Sequence, residues 1–295
     1  MFAPIVKYLL SVINGIMKSI YRWLTGTCEL QRICKSCNET GDRTTAVEKS
    51  LGTSKTESLR KITTSLGINV NDAVQHIAVV KKINHESSIN SEFICSLSKC
   101  LVQICTYSQL KDHVETIRST TYDSNNKQHE TMLMKLWDLL CPDNQLEQRI
   151  SPQWTEIGFQ GSNPETDFRG MGLLGLEQLV YFTENYTQVA RKILSHSHHP
   201  TYGYSMAIVG IHLTNMAYSL LVSNALKPHF YYSNVSATLD EFHKVYCYLI
   251  VEFDSFWRSE KPENILIFNE IKEKFRLKTL QKLKTLRVLR SFELM

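Results

Sequence analysis

Pro164-Glu165-Thr166-Asp167-Phe168-Arg169-Gly170-Met171-Gly172-Leu173-Leu174-Gly175 is the stretch that decides how this chain folds. Its last six residues spell GxGxxG and open an apolar run with helical spacing, as in a dinucleotide site. Such a site needs a buried hydrophobic strand running into the first glycine. Pro164 to Arg169, with its proline, two acids and one arginine, is no such strand. No alternation of strand and helix patterns occurs elsewhere. A doubly wound nucleotide fold is excluded, and with it a nicotinamide or flavin oxidoreductase.

Outward from this stretch the pattern is helical. Downstream, residues 173–186, 204–222 and 239–257 read as helices, with Ala207, Ile208, Ile211, Tyr218 and Leu221 on one face. A last helix is expected to begin near Pro262, since proline is tolerated in a first turn. Upstream, Phe93, Leu97, Leu101, Ile104 and Cys105 recur at helical spacing. So do Met132, Leu133, Leu136, Trp137 and Leu140, stopped by Pro142. Residues 43–66 are polar, with thin apolar spacing, and read as a solvated helix or a partly ordered connector. Only 12 glycines and 7 prolines punctuate 295 residues, too few for an all-β chain. The expected fold is all-α: a compact multi-helix body with one long irregular loop, preceded by an amphipathic N-terminal helix. The expected division is 1–26 (membrane-associating helix), 27–125 (N-terminal helical region) and 126–295 (main domain), with 27–295 packed as one unit.

A net charge of +4 is too mild for general nucleic-acid binding. Eight scattered cysteines form no disulfide framework and read as free thiols in a reducing compartment. Three sequons, at Asn38, Asn185 and Asn234, are then chance. Cys34 and Cys37 form one CxxC with no second half-site, and His196, His198 and His199 fit a polar loop before Pro200, so no metal and no cofactor is expected. Palmitoylation of Cys28, Cys34 or Cys37 fits better than zinc. GxSxG, HExxH and GxxxxGK[ST] do not occur, so machinery for independent chemistry is missing.

The two ends carry amphipathic patterns. From Tyr8 to Met17 only ten residues run without charge, half of a membrane span. Lys7, Ser11, Asn14, Lys18 and Arg22 fall within an arc of roughly 80° on a helix otherwise apolar and ending in Tyr21 and Trp23. That narrow polar stripe suits a helix lying in a membrane interface; docking on the protein's own core is the alternative. In the last helix Lys272, Lys274, Arg276, Lys278, Lys282, Lys284, Arg287 and Arg290 surround Glu273. A solvated face is the plain reading, an anionic membrane or acidic partner the sharper one.

Between 150 and 175 helical periodicity vanishes. Trp154, Phe159 and Phe168 are apolar anchors for a loop, and Gly158, Gly161, Gly170 and Gly172 let its backbone turn. From spacing alone Arg169 is a structural arginine, paired for example with Asp167. The run from Trp154 to Gly172 resembles the W-x3-GFQ-x3-P-x-TDFRG-x-G motif of ELMO domains at every fixed position. Cys28-Glu29-Leu30-Gln31-Arg32-Ile33, Tyr122-Asp123-Ser124 with Gln128-His129-Glu130, and Tyr204-Ser205 with Ala207-Ile208-Val209-Gly210-Ile211 are similar to the small ELMO domain-containing proteins, as is the region from Tyr248 to Trp257. The likeness covers nearly the whole chain; residues 43–90 are the least familiar.

This resemblance implies a GTPase-activating protein for Arf and Arf-like small GTPases, with Arg169 as the catalytic residue supplied in trans to the GTP-bound partner. Trp154, Gly158, Phe159, Gln160, Pro164, Thr166, Asp167, Phe168, Gly170 and Gly172 are then GTPase-binding or loop-supporting residues. The chain has no room for the repeat and pleckstrin-homology regions of the larger ELMO scaffolds, nor the zinc module of conventional Arf activators. The expected setting is cytoplasmic and peripheral to a membrane, whether endoplasmic reticulum, lipid droplet or mitochondrial surface. The alternative is an adaptor that binds an Arf-family GTPase without catalysis while Arg169 holds the loop.

Overall fold

Helix follows helix along the chain, and no strand occurs among the described residues. A computed structural model describes residues 16–17, 20–37, 39–83, 90–233 and 235–289. Two units are distinguished: residues 1–109 with 230–236, and residues 110–229 with 237–295.

In the first unit α1 (Glu29–Ser36), α2 (Thr40–Gly52), α3 (Glu57–Lys61) and α4 (Val70–Val80) precede the long α5 (Ser91–Ser119), whose first part belongs here. The polar run 43–66 is more ordered than its composition implies. Val47 and Leu51, one turn apart, and Leu59 are fully buried, so a thin stripe suffices to seat α2 and α3. The threonines of this run find partners within it and outside it: Thr53 Oγ1 donates to the Lys49 carbonyl (2.7 Å), Thr44 Oγ1 donates to Gln103 Oε1 on α5 (2.5 Å), and the Gln103 amide donates to the Tyr231 carbonyl (3.2 Å). Most of the N-terminal helix expected within residues 1–26 lies outside the described residues. Of its end, residues 20–25 are helical; Trp23 faces outward, 84% exposed, and Arg22 donates to the Lys81 carbonyl (2.6 Å).

The second unit holds the end of α5, then α6 (Lys127–Leu140), two 3-10 turns (Pro152–Ile157 and Pro164–Gly170), α7 (Gly172–Asn185), α8 (Thr187–Ser197) and α9 (Met206–Val222). After α10 (Lys227–Tyr232) come α11 (Leu239–Glu260), a third 3-10 turn (Ile265–Ile267) and α12 (Phe268–Leu286). Helix α7 packs against α6, α8, α9 and α11. Its buried residues (Leu174, Leu176, Gln178, Leu179, Phe182 and Thr183 among them) therefore surround it instead of forming one stripe. This buried helix fixes the loop that enters it. Phe253, Trp257, Phe268 and Phe275 join α11 to α12 through ring contacts of 5.3–6.0 Å.

Two sequence expectations need correction. The last helix begins at Phe268, not near Pro262. Lys261 takes a left-handed conformation (φ 45°) that ends α11, and Asn264 then caps the third 3-10 turn by accepting from Leu266 N (3.0 Å). His196 lies in the last turn of α8, its Nδ1 2.8 Å from Asp254 Oδ2, rather than in a loop. The basic residues of α12 have partners beyond Glu273: Lys274 meets Glu270 (3.0 Å), Lys282 meets Glu252 (2.7 Å), and Lys278 sits over the Phe256 ring. This favours the plain reading of that face. No helix among the described residues is long and apolar enough to cross a membrane.

Candidate functional site

The segment between α6 and α7 is irregular over residues 141–151 and 158–163, as expected, but it carries two 3-10 turns built alike, each with proline in its first turn and a polar cap before it. Ser151 Oγ accepts from Gln153 N (3.2 Å) and Asn163 Oδ1 accepts from Glu165 N (3.3 Å). Tight turns with no 3.6-residue period leave no helical signature, which is why the sequence reads as irregular here.

The first turn is pinned from inside. Trp154 is fully buried, edge-on to Trp137 of α6 (5.5 Å), and its Nε1 donates to the Arg149 carbonyl (2.9 Å). Rings then follow one another: Trp154 to Phe159 (5.8 Å), Phe159 to Phe168 (5.6 Å), Phe168 to Tyr122 (5.4 Å). All three sequence-predicted aromatic anchors thus belong to one buried chain that ties both turns together.

The glycines at either end permit close backbone approach. Gly158 has φ +91°, and a Cβ there would lie 2.2 Å from Met206 N; its carbonyl accepts from Ile208 N (3.2 Å) at the start of α9. Gly172 has φ +54°, and its Cβ would lie 2.2 Å from the Arg118 carbonyl oxygen at the end of α5. Beside it Leu173 N donates to the Thr120 carbonyl (2.8 Å). Only glycine fits either place.

The polar members of the motif divide into two sets. Asp167 Oδ2 accepts from Gln160 N (2.9 Å) and so locks one turn to the other. Pro164 is buried, and the Thr166 hydroxyl reaches the Asn163 carbonyl (3.4 Å). Gln160, Thr166, Arg169 and Gly170 are exposed. Arg169 makes no hydrogen bond or ion pair with any described residue. The pairing with Asp167 that the spacing implied is not formed. Arg169 rims a cleft of about 240 Å³ with Tyr122, Glu165 and Thr166, and Thr166 also lines a second cleft of about 320 Å³ with Gln160, Ile208 and His212. Sequence reasoning assigned no role to Arg149, Asn163 or Ser151, which brace the turns. Their only signal was a Ser-Pro or Asn-Pro pair for the two caps, and none for Arg149.

Fold and site together define an all-α protein that displays on a braced surface loop an arginine with no hydrogen-bond or ion-pair partner among the described residues. The chain belongs to the ELMO/CED-12 family, whose model matches residues 112–272. It is 52% identical over 260 residues to ELMO domain-containing protein 2 of Bos taurus, with 88% of each chain covered. Over 288 residues it is 46% identical to ELMO domain-containing protein 1 of Mus musculus, covering 90% of this chain and 87% of that one. ELMO domain-containing protein B of Dictyostelium discoideum is 35% identical over 280 residues, covering 94% and 97%. No solved structure matches the chain.

Proposed function

We propose that this chain accelerates GTP hydrolysis by an Arf-family GTPase, inserting Arg169 in trans as an arginine finger. The observation that carries this reading is the freedom of Arg169 on a loop where its neighbours are fixed. A guanidinium already paired at home would have to break that pair before acting; this one does not. Phosphoryl transfer spreads negative charge over the equatorial oxygens, and a planar, always-charged donor fork stabilises it by roughly 10³–10⁵ in rate. Rigid bracing supports the reading further, because a preorganised cation needs no reorganisation at the moment of reaction. The adaptor alternative required Arg169 to hold the loop through Asp167, whose carboxylate is instead committed to Gln160 N.

The surroundings fit a macromolecular partner. The third 3-10 turn is ordered by its Asn264 cap, yet Leu266 is 86% exposed; it borders a cleft of about 350 Å³ that shares Gln160, Ile208 and His212 with the cleft behind the finger loop. Membrane attachment through the N-terminal helix is part of the same proposal, supported by the outward Trp23 and Leu24.

The test is Arg169→Lys in single-turnover hydrolysis across Arf-family GTPases. The variant is expected to keep its melting temperature and its affinity for the GTP-bound partner, and to lose activation on the scale of ~10³ or more. A folded Arg169→Lys protein with the wild-type rate would refute the role, as would a wild type inactive on every member.

A further inference from the structure

Arg149 lies outside the motif, five residues before Trp154, and joins several of the groups that brace the loop. Its Nε donates to Glu130 Oε2 on α6 (2.6 Å), its Nη1 to Asn163 Oδ1 (3.1 Å) and its Nη2 toward the Tyr122 hydroxyl (3.4 Å). Its guanidinium carbon lies 5.9 Å from the centre of the Tyr122 ring. The Tyr122 hydroxyl donates in turn to Glu130, closing a triangle of charge and phenol. Through its carbonyl Arg149 also receives Trp154 Nε1.

The side-chain contacts lead to the second 3-10 turn by two routes. Asn163 is the cap from which that turn starts, and its Oδ1 is shared between Glu165 N and Arg149. Fixing that oxygen fixes the rotamer that begins Pro164–Gly170. Tyr122, clamped by Arg149 and Glu130, lies against Phe168, the residue next to Arg169. One side chain therefore holds the start of the turn and the ring wall near its end. The contact to the first turn is different in kind, because it runs through the main-chain carbonyl and survives any substitution of the side chain.

We infer that Arg149 is the positioning residue for Arg169: its guanidinium fork sets the Asn163 cap and the Tyr122 wall, and these hold the second turn at the angle that presents Arg169. The inference rests on the finger reading. The fork is required, since lysine offers a compact ammonium that can satisfy Glu130 but cannot span Glu130, Asn163 and Tyr122 in one plane. The turn then drifts while the aromatic chain keeps the body folded. A misplacement on the order of 1 Å costs up to ~10²-fold in a positioned reaction.

The experiment is a double-mutant cycle on the full chain, with Arg149→Lys, Arg169→Lys and both, read by single-turnover GTP hydrolysis, affinity for the GTP-loaded partner and melting temperature. Arg149→Lys is expected to lower the maximal rate by about 10- to 10²-fold with affinity little changed, and to add nothing once Arg169 is already lysine. Asn163→Ala, which removes the cap oxygen and leaves Glu130 paired, is expected to show the same pattern. Amide exchange is expected to quicken across 163–170 and to stay slow across 152–157. An Arg149→Lys effect that persists undiminished in the Arg169→Lys background would overturn the inference, as would loss of rate, affinity and stability together in both Arg149→Lys and Asn163→Ala. If Arg169→Lys itself leaves activation intact, the finger reading fails, and that outcome is separate from either of these.

Discussion

Asp167 and Arg169 are two residues apart with opposite charges, and charge alone would pair them. In a 3-10 turn with three residues per turn, neighbours at that spacing point about 240° apart, while residues three apart eclipse. Arg169 therefore shares its outward face with Thr166, and Asp167 turns toward Gln160 N, whose N–H donates to its carboxylate at 2.9 Å. Glycine at 172 illustrates the same reliance on local geometry. Its left-handed φ and the Arg118 carbonyl 2.2 Å from an added Cβ leave a side chain nowhere to go. Gly172→Ala is expected to cost about 2 kcal/mol or more, from backbone strain plus the forced retreat of the end of α5. Thermal melting checks this. An unchanged melting temperature would mean that α5 does not press on the start of α7. The sequence showed that 170 and 172 were glycines but not which needed to be; Gly170 has open space around its Cβ position.

At the scale of elements, long periodic helices were legible, because a buried stripe repeated over several turns leaves a pattern that single substitutions do not erase. Helices α6, α7, α9 and α11 all stand close to where their spacing put them. Short elements were not legible. Helices α2 and α3 rest on Val47, Leu51 and Leu59, too few residues for a period, and the 3-10 turns have no period long enough to recognise. The third turn hid for another reason: Pro262 resembles a helix start, but the left-handed Lys261 and the Asn264 cap insert a separate element first. That element offers a test of the proposed partner surface. Leu266→Ser removes an apolar side chain already in water, so folding stability is expected to hold within about 0.5 kcal/mol. Affinity for the GTP-loaded partner is expected to fall about tenfold, with the saturated hydrolysis rate retained, the reverse of Arg169→Lys. Titrating activation against protein concentration separates the two. Identical half-saturation in Leu266→Ser and wild type would remove this turn from the interface.

At the scale of the whole molecule some charges find partners that lie far away in sequence, which a linear reading cannot supply. Lys282 is held by Glu252 from α11, thirty residues away, so a helix that looks uniformly basic is partly neutralised by its neighbour. Buried histidines follow the same logic, and they set a pH dependence. Burial lowers His243 from an ordinary 6.5 to about 4; its ring stacks near Tyr181, and its Nδ1 has no partner among the described residues. His229 is likewise lowered to about 4 by burial, its Nδ1 accepting from Leu289 N. For both the folded state binds its proton less readily than the unfolded chain does. Between about pH 6.5 and 4 the unfolded chain therefore holds more protons, and stability falls as pH falls through that window. Each pH unit of that difference is worth ~1.4 kcal/mol, so each imidazole accounts for on the order of 3 kcal/mol at full extent. Carboxylates held low by partners, such as Asp240 beside Tyr181 and Lys244, lose their contribution only below the ordinary carboxylate range, so they do not confuse the upper part of the window. The melting temperature is expected to be flat above pH 7 and to decline steadily from 6.5 to 4.5. His243→Phe keeps a ring in the pocket and removes one protonation, leaving those of His229 and of His212, which burial also lowers, so it is expected to reduce that slope by less than half without lowering stability at pH 7.5. Calorimetry of both proteins across this range decides the matter: equal slopes would assign the dependence to groups other than this histidine, and a flat wild type would show that protons reach both rings without unfolding.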